Sequence, residues 1–164
     1  MTVGLVGAAC ALGACGDDTV DAGKVEQGIE QDLSTATTTV SSVSCPDGVK
    51  NETGTTFTCK AKLSGGGSGD VAVKVTKAPD QFSYSFKPGT VVLAGASVDK
   101  QLEQGLAANG VANATVNCPA TIKVKSGATV TCPVTGAGGR VGNVSFQFTD
   151  AAGSIESSSV KAQS

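Results

Sequence analysis

The sequence contains no histidine and no tryptophan, and aromatic residues make up only 4% of it. Without histidine, no Ser-His or Cys-His pair exists, which excludes the commonest nucleophilic hydrolases. Charged residues amount to 16% and the formal net charge is −2, a balance unlike the basic footprint of a nucleic-acid-binding protein. No apolar run is long enough for a membrane-spanning helix. We therefore expect neither a classical triad nor a nucleic-acid partner.

A serine nucleophile in this chain would have to rely on lysine. Ser97 and Lys100 match the S-x-x-K motif of penicillin-binding enzymes, but no S-D-N element follows and the chain is short for that fold. Ser97 is better explained as the N-cap residue of a helix. We expect no enzymatic activity, and a hydrolase with an unrecognised site is the remote alternative.

Residues 1–14 contain no charged side chain and are mostly small or apolar, as in the apolar part of a secretory signal peptide. The basic segment that normally precedes such a stretch is missing, so we expect translation to start upstream of Met1. The run Leu12-Gly13-Ala14-Cys15 resembles a bacterial lipobox, which predicts cleavage before Cys15, lipid attachment to its thiol, and a short tether over residues 15–20. The predicted location is the extracytoplasmic face of the cell membrane, with simple secretion as the alternative.

Two stretches of the sequence align with each other without a gap, residues 25–76 with residues 98–149. The identities are concentrated at cysteine, glycine and apolar positions. The matched dipeptides include Cys45-Pro46 with Cys118-Pro119 and Thr58-Cys59 with Thr131-Cys132. Such self-similarity indicates one structural unit written twice.

Each copy begins with apolar residues at every fourth position, which predicts an amphipathic helix. These residues are Val25, Ile29 and Leu33 in the first copy and Val98, Leu102 and Leu106 in the second. Segments that alternate with period two follow and predict strands, among them residues 57–63 and 71–75. The glycine cluster 65–69 between these two segments predicts a hairpin. Phe82, Tyr84 and Phe86 indicate a fourth strand, whereas the second copy keeps only Ile155 there and should have a short final strand.

The predicted fold class is therefore α+β, with two tandem small modules. Each module should have one N-terminal helix packed on a three- or four-stranded antiparallel sheet, closed by one internal disulfide. We place module 1 at residues 21–87, a linker at 88–96 after a Pro-Gly turn, and module 2 at 97–160. Residues 91–94 within that linker could also lead into the second helix.

Four cysteines outside the signal region form two pairs with the same spacing. The pairs are Cys45 with Cys59 and Cys118 with Cys132. In an exported chain this arrangement implies disulfides, and duplication favours one bond inside each copy. Closing a loop of this size should contribute roughly 3 kcal/mol to a module too small to be comfortably stable alone. The spacing suits neither a C-x-x-C zinc site nor a reactive dithiol, so we expect no metal and no cofactor.

One group of residues could form a binding site. Lysines project from the solvent side of adjacent strands in the first copy, and the second copy has no lysine at the matching positions. The four are Lys60, Lys62, Lys74 and Lys77, matched by Pro133, Thr135, Gln147 and Asp150. They are either a solubilising face that discourages edge pairing or a site for an anionic envelope polymer or lipid.

The order of these motifs resembles an actinobacterial lipoprotein family, catalogued as domain of unknown function 4333, in tandem. The motifs are the lipobox, V-x-x-x-I/L-x-x-x-L, V-x-C-P, a glycine, and T-C before a glycine-rich hairpin. The resemblance covers Val20 to about Phe86 and Val98 to about Ile155, and the chain departs from the pattern where Val130 replaces Phe57. It implies an extracytoplasmic lipoprotein and supplies no catalytic residues.

Together these observations predict an exported, lipid-anchored cell-envelope protein. Its expected role is non-catalytic, as a binding or adaptor module that contacts the membrane through its lipid and an envelope protein or polymer through its folded part. The alternative is a structural spacer with no discrete ligand.

Overall fold

The computed structural model describes residues 19–34, 38–136 and 139–162. Two helices and ten strands are present in that part of the chain. The first module has α1 (Ala22–Asp32), β1 (Val40–Ser44), β2 (Thr56–Leu63), β3 (Gly67–Lys77) and β4 (Gln81–Phe86). Next come β5 (Val92–Ala94), α2 (Gly95–Ala108), β6 (Thr115–Val116), β7 (Thr121–Lys123), β8 (Thr129–Gly136), β9 (Gly139–Phe148) and β10 (Ile155–Ala162).

Both helices bury the apolar stripe that their sequences predict, except that Leu33 is the C-cap residue of α1 and is only half-buried. Val25 and Ile29 of α1 are fully buried. The stripe of α2 is also buried, with exposed fractions of 1% for Val98, 8% for Leu102 and 6% for Leu106. The side chain of Asp21 caps α1 by accepting from the backbone N–H of Lys24 at 3.2 Å. Because its apolar stripe is buried, each helix presents one face to the sheet of its own module.

The first module is an antiparallel sheet in which β2 lies between β1 and β3, and β4 pairs with the other edge of β3. Alternate residues of β2 and β3 face the core, so that Cys59, Ala61, Val71 and Val73 are all buried. The hairpin closes where Leu63 pairs with Gly67. The predicted strand–glycine turn–strand pattern is confirmed.

The second module repeats this arrangement with β6, β8, β9 and β10 in one four-stranded sheet. Its core includes Phe146 and Phe148, whose rings meet edge to face at 5.5 Å. The prediction of a short final strand is wrong, because β10 has eight residues and β4 has six. Strand pairing uses backbone groups, so the scarcity of apolar residues in β10 did not prevent it.

Two strands of the second half join the first module's sheet. Val92 of β5 pairs with Ser68 of β3 on one side and with Lys123 of β7 on the other. The resulting sheet has six strands. The segment 88–96 is therefore not a free linker: it contains β5 and the start of α2, and the boundary between the modules lies within a shared sheet.

The extended segment that precedes α1 pairs in the same way as β5, which precedes α2. Thr19 forms an antiparallel bridge with Lys50, and Val20 N–H donates to the carbonyl of Val49 at 2.8 Å. Thr19 and Lys50 align with Val92 and Lys123 in the repeat. A short extended segment that pairs behind the Cys-Pro turn is thus part of each module, and in the second module this segment also contacts β3.

The core is continuous from one module to the other. Thr38, a buried polar residue of module 1, donates its hydroxyl hydrogen to the carbonyl of Ala152 at 2.8 Å. Gly153 is packed so closely at this contact that a Cβ would lie 3.2 Å from Thr38 Oγ1 and 3.3 Å from Leu93 Cδ1. The two modules therefore pack around one shared core and are not separate domains without mutual contact.

Both predicted disulfides are present, one in each module. Cys45 is bonded to Cys59 and Cys118 to Cys132, each with a sequence separation of 14. In both, the bond ties the segment that follows the first strand of the module to the strand that enters the hairpin. Among the described residues, no helix has the length and apolar character needed to cross a bilayer.

Candidate functional site

The candidate site is an open polar groove of about 350 Å³ at the junction of the two modules. Its walls come from the β2–β3 hairpin and the segment before β1 on one side, and from α2 on the other. The lining residues are Thr39, Ser64, Gly65, Ser97, Lys100, Gln101 and Gln104. We call this feature the junction groove.

Helix α2 forms one wall of the junction groove because its apolar face is buried in the core, which leaves its polar face for the groove. Val98 and Leu102 face the core. The adjacent face of the helix is formed by residues spaced three and four apart from one another, and this face is directed towards the hairpin. That face carries Ser97, Gln101 and Gln104, so one helix presents a polar stripe to the groove and an apolar stripe to its sheet.

The hairpin approaches α2 closely because its loop contains glycine. Gly65 has a φ of +82°, a left-handed conformation that favours glycine. A Cβ at this position would also collide with the side chain of Ser97. Ser97 Oγ donates to the carbonyl of Ser64 at 3.5 Å, so the loop and helix are in direct contact at one end of the groove.

Ser97 is not the N-cap of α2, which corrects the sequence prediction. The helix begins at Gly95, its N-cap is Ala94, and no side chain caps it. The chain leaves β5 and turns directly into the helix, where Gly95 N–H donates to the carbonyl of Ala120 at 2.9 Å. A Cβ on Gly95 would strike the Pro119 carbonyl, so this turn requires glycine.

The groove offers hydroxyl and amide groups together with one ammonium group, that of Lys100. The hydroxyl and amide groups both donate and accept hydrogen bonds, whereas the ammonium group only donates, and together they suit a polar ligand rich in hydroxyl groups. Although Ser97 and Lys100 share the groove, the Ser97 hydroxyl is directed to a backbone carbonyl. Within the described part of the chain, no three potential ligand side chains cluster to hold a metal ion.

The predicted lysine site is divided by the structure. Lys60 and Lys62 lie near the hairpin end of β2, opposite Asp70 and Ser68 of β3. Lys74 lies opposite Thr56, which is six residues from Lys62 on the same strand and thus about 20 Å away. Lys77 lies still further along, where β3 ends. The structure brings two of the four together, and ligand binding by these lysines stays a prediction.

Lys60 is also partly neutralised. Its ammonium nitrogen lies 2.7 Å from the Asp70 carboxylate. Ion pairs with an exposed partner contribute little to stability, but this contact fixes the direction of the Lys60 side chain. The remaining predicted functional residue is Cys15, the predicted lipid-attachment residue, which lies outside the described residues.

Sequence reasoning missed the junction groove, although one signal was available. The polar residues of α2 recur at the spacing of one helix face, and three of the four that line the groove differ in chemical type from their counterparts in the first copy. Ser97, Lys100 and Gln101 align with Lys24, Gln27 and Gly28. Differences between copies at exposed positions of one face are what a site specific to one copy would produce.

Comparison with known families agrees with this architecture. The family model described as Domain of unknown function (DUF4333) matches residues 4–79 and again residues 82–153. The chain therefore belongs to this family, as two tandem disulfide-bonded domains. No curated protein and no solved structure matches it.

Proposed function

We propose that this protein is an extracytoplasmic binding or adaptor protein, anchored to the cell membrane through lipid on Cys15, with the junction groove as its ligand site. The two disulfides support the compartment, because such bonds form and persist in oxidising environments. The lipobox sequence around Cys15 supports the anchor.

The observation that carries the binding role is that the junction groove is built by both modules. Thr39, Ser64 and Gly65 come from module 1, whereas Ser97, Lys100, Gln101 and Gln104 come from α2. Neither module contains the groove alone. A duplication followed by divergence of the facing residues is a direct way to create a new site between two copies of a stable fold.

The lining favours a neutral or weakly acidic ligand that carries many hydroxyl groups, such as a segment of an envelope polysaccharide. Serine, threonine and glutamine side chains exchange hydrogen bonds with sugar hydroxyls, and Lys100 can accommodate a carboxylate or phosphate substituent. We propose that the groove binds such a ligand without chemical change. Incubating the protein with the oligosaccharides below and analysing them by mass spectrometry tests this point, and cleavage that disappears in Ser97→Ala would refute it.

Binding can be tested with a matched pair of variants. Gln104 lines the junction groove, and Gln31 is the same residue at the same helical position in module 1, exposed and outside the groove. We expect a set of soluble neutral and uronic-acid oligosaccharides to include a ligand whose affinity falls about fivefold in Gln104→Ala and is unchanged in Gln31→Ala, measured by calorimetry. Failure of every oligosaccharide to bind, or an equal loss in both variants, would overturn the proposed site.

The anchor is tested separately. Labelling cells with an alkyne-bearing fatty acid should mark the wild-type protein and leave Cys15→Ser unlabelled and released into the medium. Labelling that persists in Cys15→Ser would place the lipid elsewhere.

A structural spacer is the second candidate, and the composite sheet favours it. Because β5 and β7 join the modules through backbone pairing, the chain can hold two attached elements at a fixed separation. On this hypothesis substitutions in the junction groove change no cellular phenotype, whereas removing either disulfide prevents the protein from accumulating.

A further inference from the structure

The six-stranded sheet brings lysines of both modules onto one exposed face. Strand residues that pair directly point to the same side of a sheet. Lys62 of β2 pairs with Ser68, Ser68 with Val92, and Val92 with Lys123 of β7. These four residues form one row across the sheet, and none of them is buried.

A second row lies directly beside the first. Lys60 pairs with Asp70 of β3, and Asp70 N–H donates to Thr90 Oγ1 at 3.1 Å. The pairing of β5 and β7 continues beyond β7, because Val124 N–H donates to the carbonyl of Val91 at 2.9 Å. If the same antiparallel register is continued by one residue, Thr90 is matched with Lys125, which is exposed.

The two rows define a trough with lysines on both borders. Lys60 and Lys62 form one border, and Lys123 and Lys125 form the other. Three strand spacings separate the borders, which corresponds to about 14 Å between Cα positions. The floor between the borders is formed by Ser68, Val92 and Thr90. Asp70 is the one acidic residue among the strand segments that build the two rows. We call this feature the lysine trough.

We propose that the lysine trough binds a linear polyanion, a polymer with regularly spaced phosphate or carboxylate groups, laid along the strands between the two lysine borders. Charge complementarity supports this partner, since four ammonium groups face one carboxylate that is already paired with Lys60. The long lysine stems let the ammonium groups lean inward over a low floor. A bilayer surface, being flat, would meet the borders but not the floor, so an extended chain fits this shape better.

The trough exists only because the modules share a sheet. Lys50 of module 1 aligns with Lys123 in the repeat, but Glu52 stands where the second module has Lys125. The Glu52 carboxylate oxygen Oε1 lies 3.8 Å from the Lys50 ammonium nitrogen Nζ. Pro133 and Thr135 replace Lys60 and Lys62 in module 2. Neither module alone therefore carries lysines on both sides of a floor.

The chain provides a control with the same change of net charge. Lys62→Gln with Lys123→Gln removes one lysine from each border, whereas Lys74→Gln with Lys77→Gln removes two lysines near the far end of β3. With the full mature chain and long-chain polyphosphate as the probe, we expect binding that weakens with salt. The affinity should fall about tenfold in the first double variant and stay within about twofold of wild type in the second.

Equal losses in the two double variants would show unspecific charge attraction and overturn the proposal. Absence of polyphosphate binding would do the same, and so would binding only to vesicles of phosphatidylcholine and phosphatidylglycerol, which would assign the lysines to the membrane. Circular dichroism of each variant shows whether the fold is intact. The oligosaccharide experiment on the junction groove is independent, because Gln104 lies outside the trough.

Discussion

At the scale of single residues, the same carboxylate contact occurs in both modules. Glu26 of α1 accepts a hydrogen bond from the backbone N–H of Cys45 at 2.9 Å, and Asp99 of α2 accepts from Cys118 N–H at 2.7 Å. The two acids occupy matching positions of the repeat. Each ties the helix of its module to the first cysteine of the disulfide, so that the helix and the covalent crosslink position each other.

We expect Glu26→Ala to lower the free energy of unfolding by about 1 to 3 kcal/mol, because a half-buried N–H of the Cys-Pro turn loses its charged acceptor. Asp99→Ala should behave alike. Gln27→Ala, an exposed change on the same helix, is the control and should be neutral or slightly stabilising. Urea unfolding measures all three, and a Glu26→Ala protein as stable as Gln27→Ala would show that the contact contributes nothing.

Asp150 organises the turn between β9 and β10, which contacts module 1 through the carbonyl of Ala152. Its carboxylate accepts from the backbone N–H groups of Ala152 and Ser154 at 2.9 and 3.0 Å. Partial burial acts to raise the pKa of Asp150, but hydrogen bonds from Ser154, Ala152 and Gly153 outweigh it and lower the pKa below its ordinary value. The ionised form is thus the one that the folded turn prefers.

This pKa has a consequence for stability against pH. Since the folded pKa lies below the unfolded one, the stabilisation is complete above the unfolded value near 4 and disappears as pH falls through the folded value. Asp150→Ala should therefore be less stable than wild type at pH 7 by about 1 kcal/mol, and the gap should narrow towards pH 2 to 3. A gap that is constant from pH 7 to pH 2 in urea unfolding would contradict this assignment.

At the scale of elements, the packing of α1 on β4 depends on a glycine. A Cβ at Gly28 would lie 2.6 Å from the hydroxyl oxygen of Tyr84. Burial, together with the nearby Asp32 carboxylate, raises the pKa of Tyr84 above its ordinary value of 10.0. The helix and the strand are therefore close enough that the ring is partly withdrawn from water.

Two glycines in helices should respond to alanine in opposite directions. Gly28→Ala should destabilise by about 1 kcal/mol, because the Tyr84 ring must move. Gly105→Ala has open space around it and should stabilise by roughly 0.5 to 1 kcal/mol through helix propensity. Absorbance titration adds a second readout: because Tyr84 is the chain's single tyrosine, Gly28→Ala should move the phenol pKa back towards its ordinary value. An unchanged titration would mean that the ring did not shift.

At the scale of the whole molecule, the shared sheet and core couple the two modules. We expect one cooperative unfolding transition despite two repeats. Tyr84 lies in module 1 and the chain has no tryptophan, so tyrosine fluorescence reports on module 1 alone. Removing the bond of module 2 with Cys118→Ser and Cys132→Ser should cost about 3 kcal/mol and lower the urea midpoint seen by Tyr84.

Circular dichroism reports on both modules and completes this test. The fluorescence and dichroism midpoints should fall together in the Cys118→Ser, Cys132→Ser protein. Its control is the wild-type protein under the same conditions with disulfides intact. A fluorescence midpoint that stays at the wild-type value while the dichroism curve splits into two steps would show independent modules.

Much of each module was predictable because its elements depend on local patterns. Apolar residues at every fourth position led to α1 and α2, period-two alternation led to β2, β3, β8 and β9, and the repeated cysteine spacing led to the disulfides. The failures occurred where backbone pairing does not depend on side-chain hydrophobicity. The length of β10, the start of α2 and the pairing of β5 within the predicted linker are examples.

The sequence by itself determined the duplicated α+β module, its core stripes, its crosslinks and its family, because these depend on spacing along the chain that the repeat displays twice. Tertiary structure alone decided how the copies meet. Val92 pairs with Ser68 and Lys123 at once, and nothing in its neighbourhood in the sequence specifies either partner. The junction groove and the lysine trough both follow from that meeting, since residues far apart in sequence become neighbours only when β5 and β7 join the sheet of the first module.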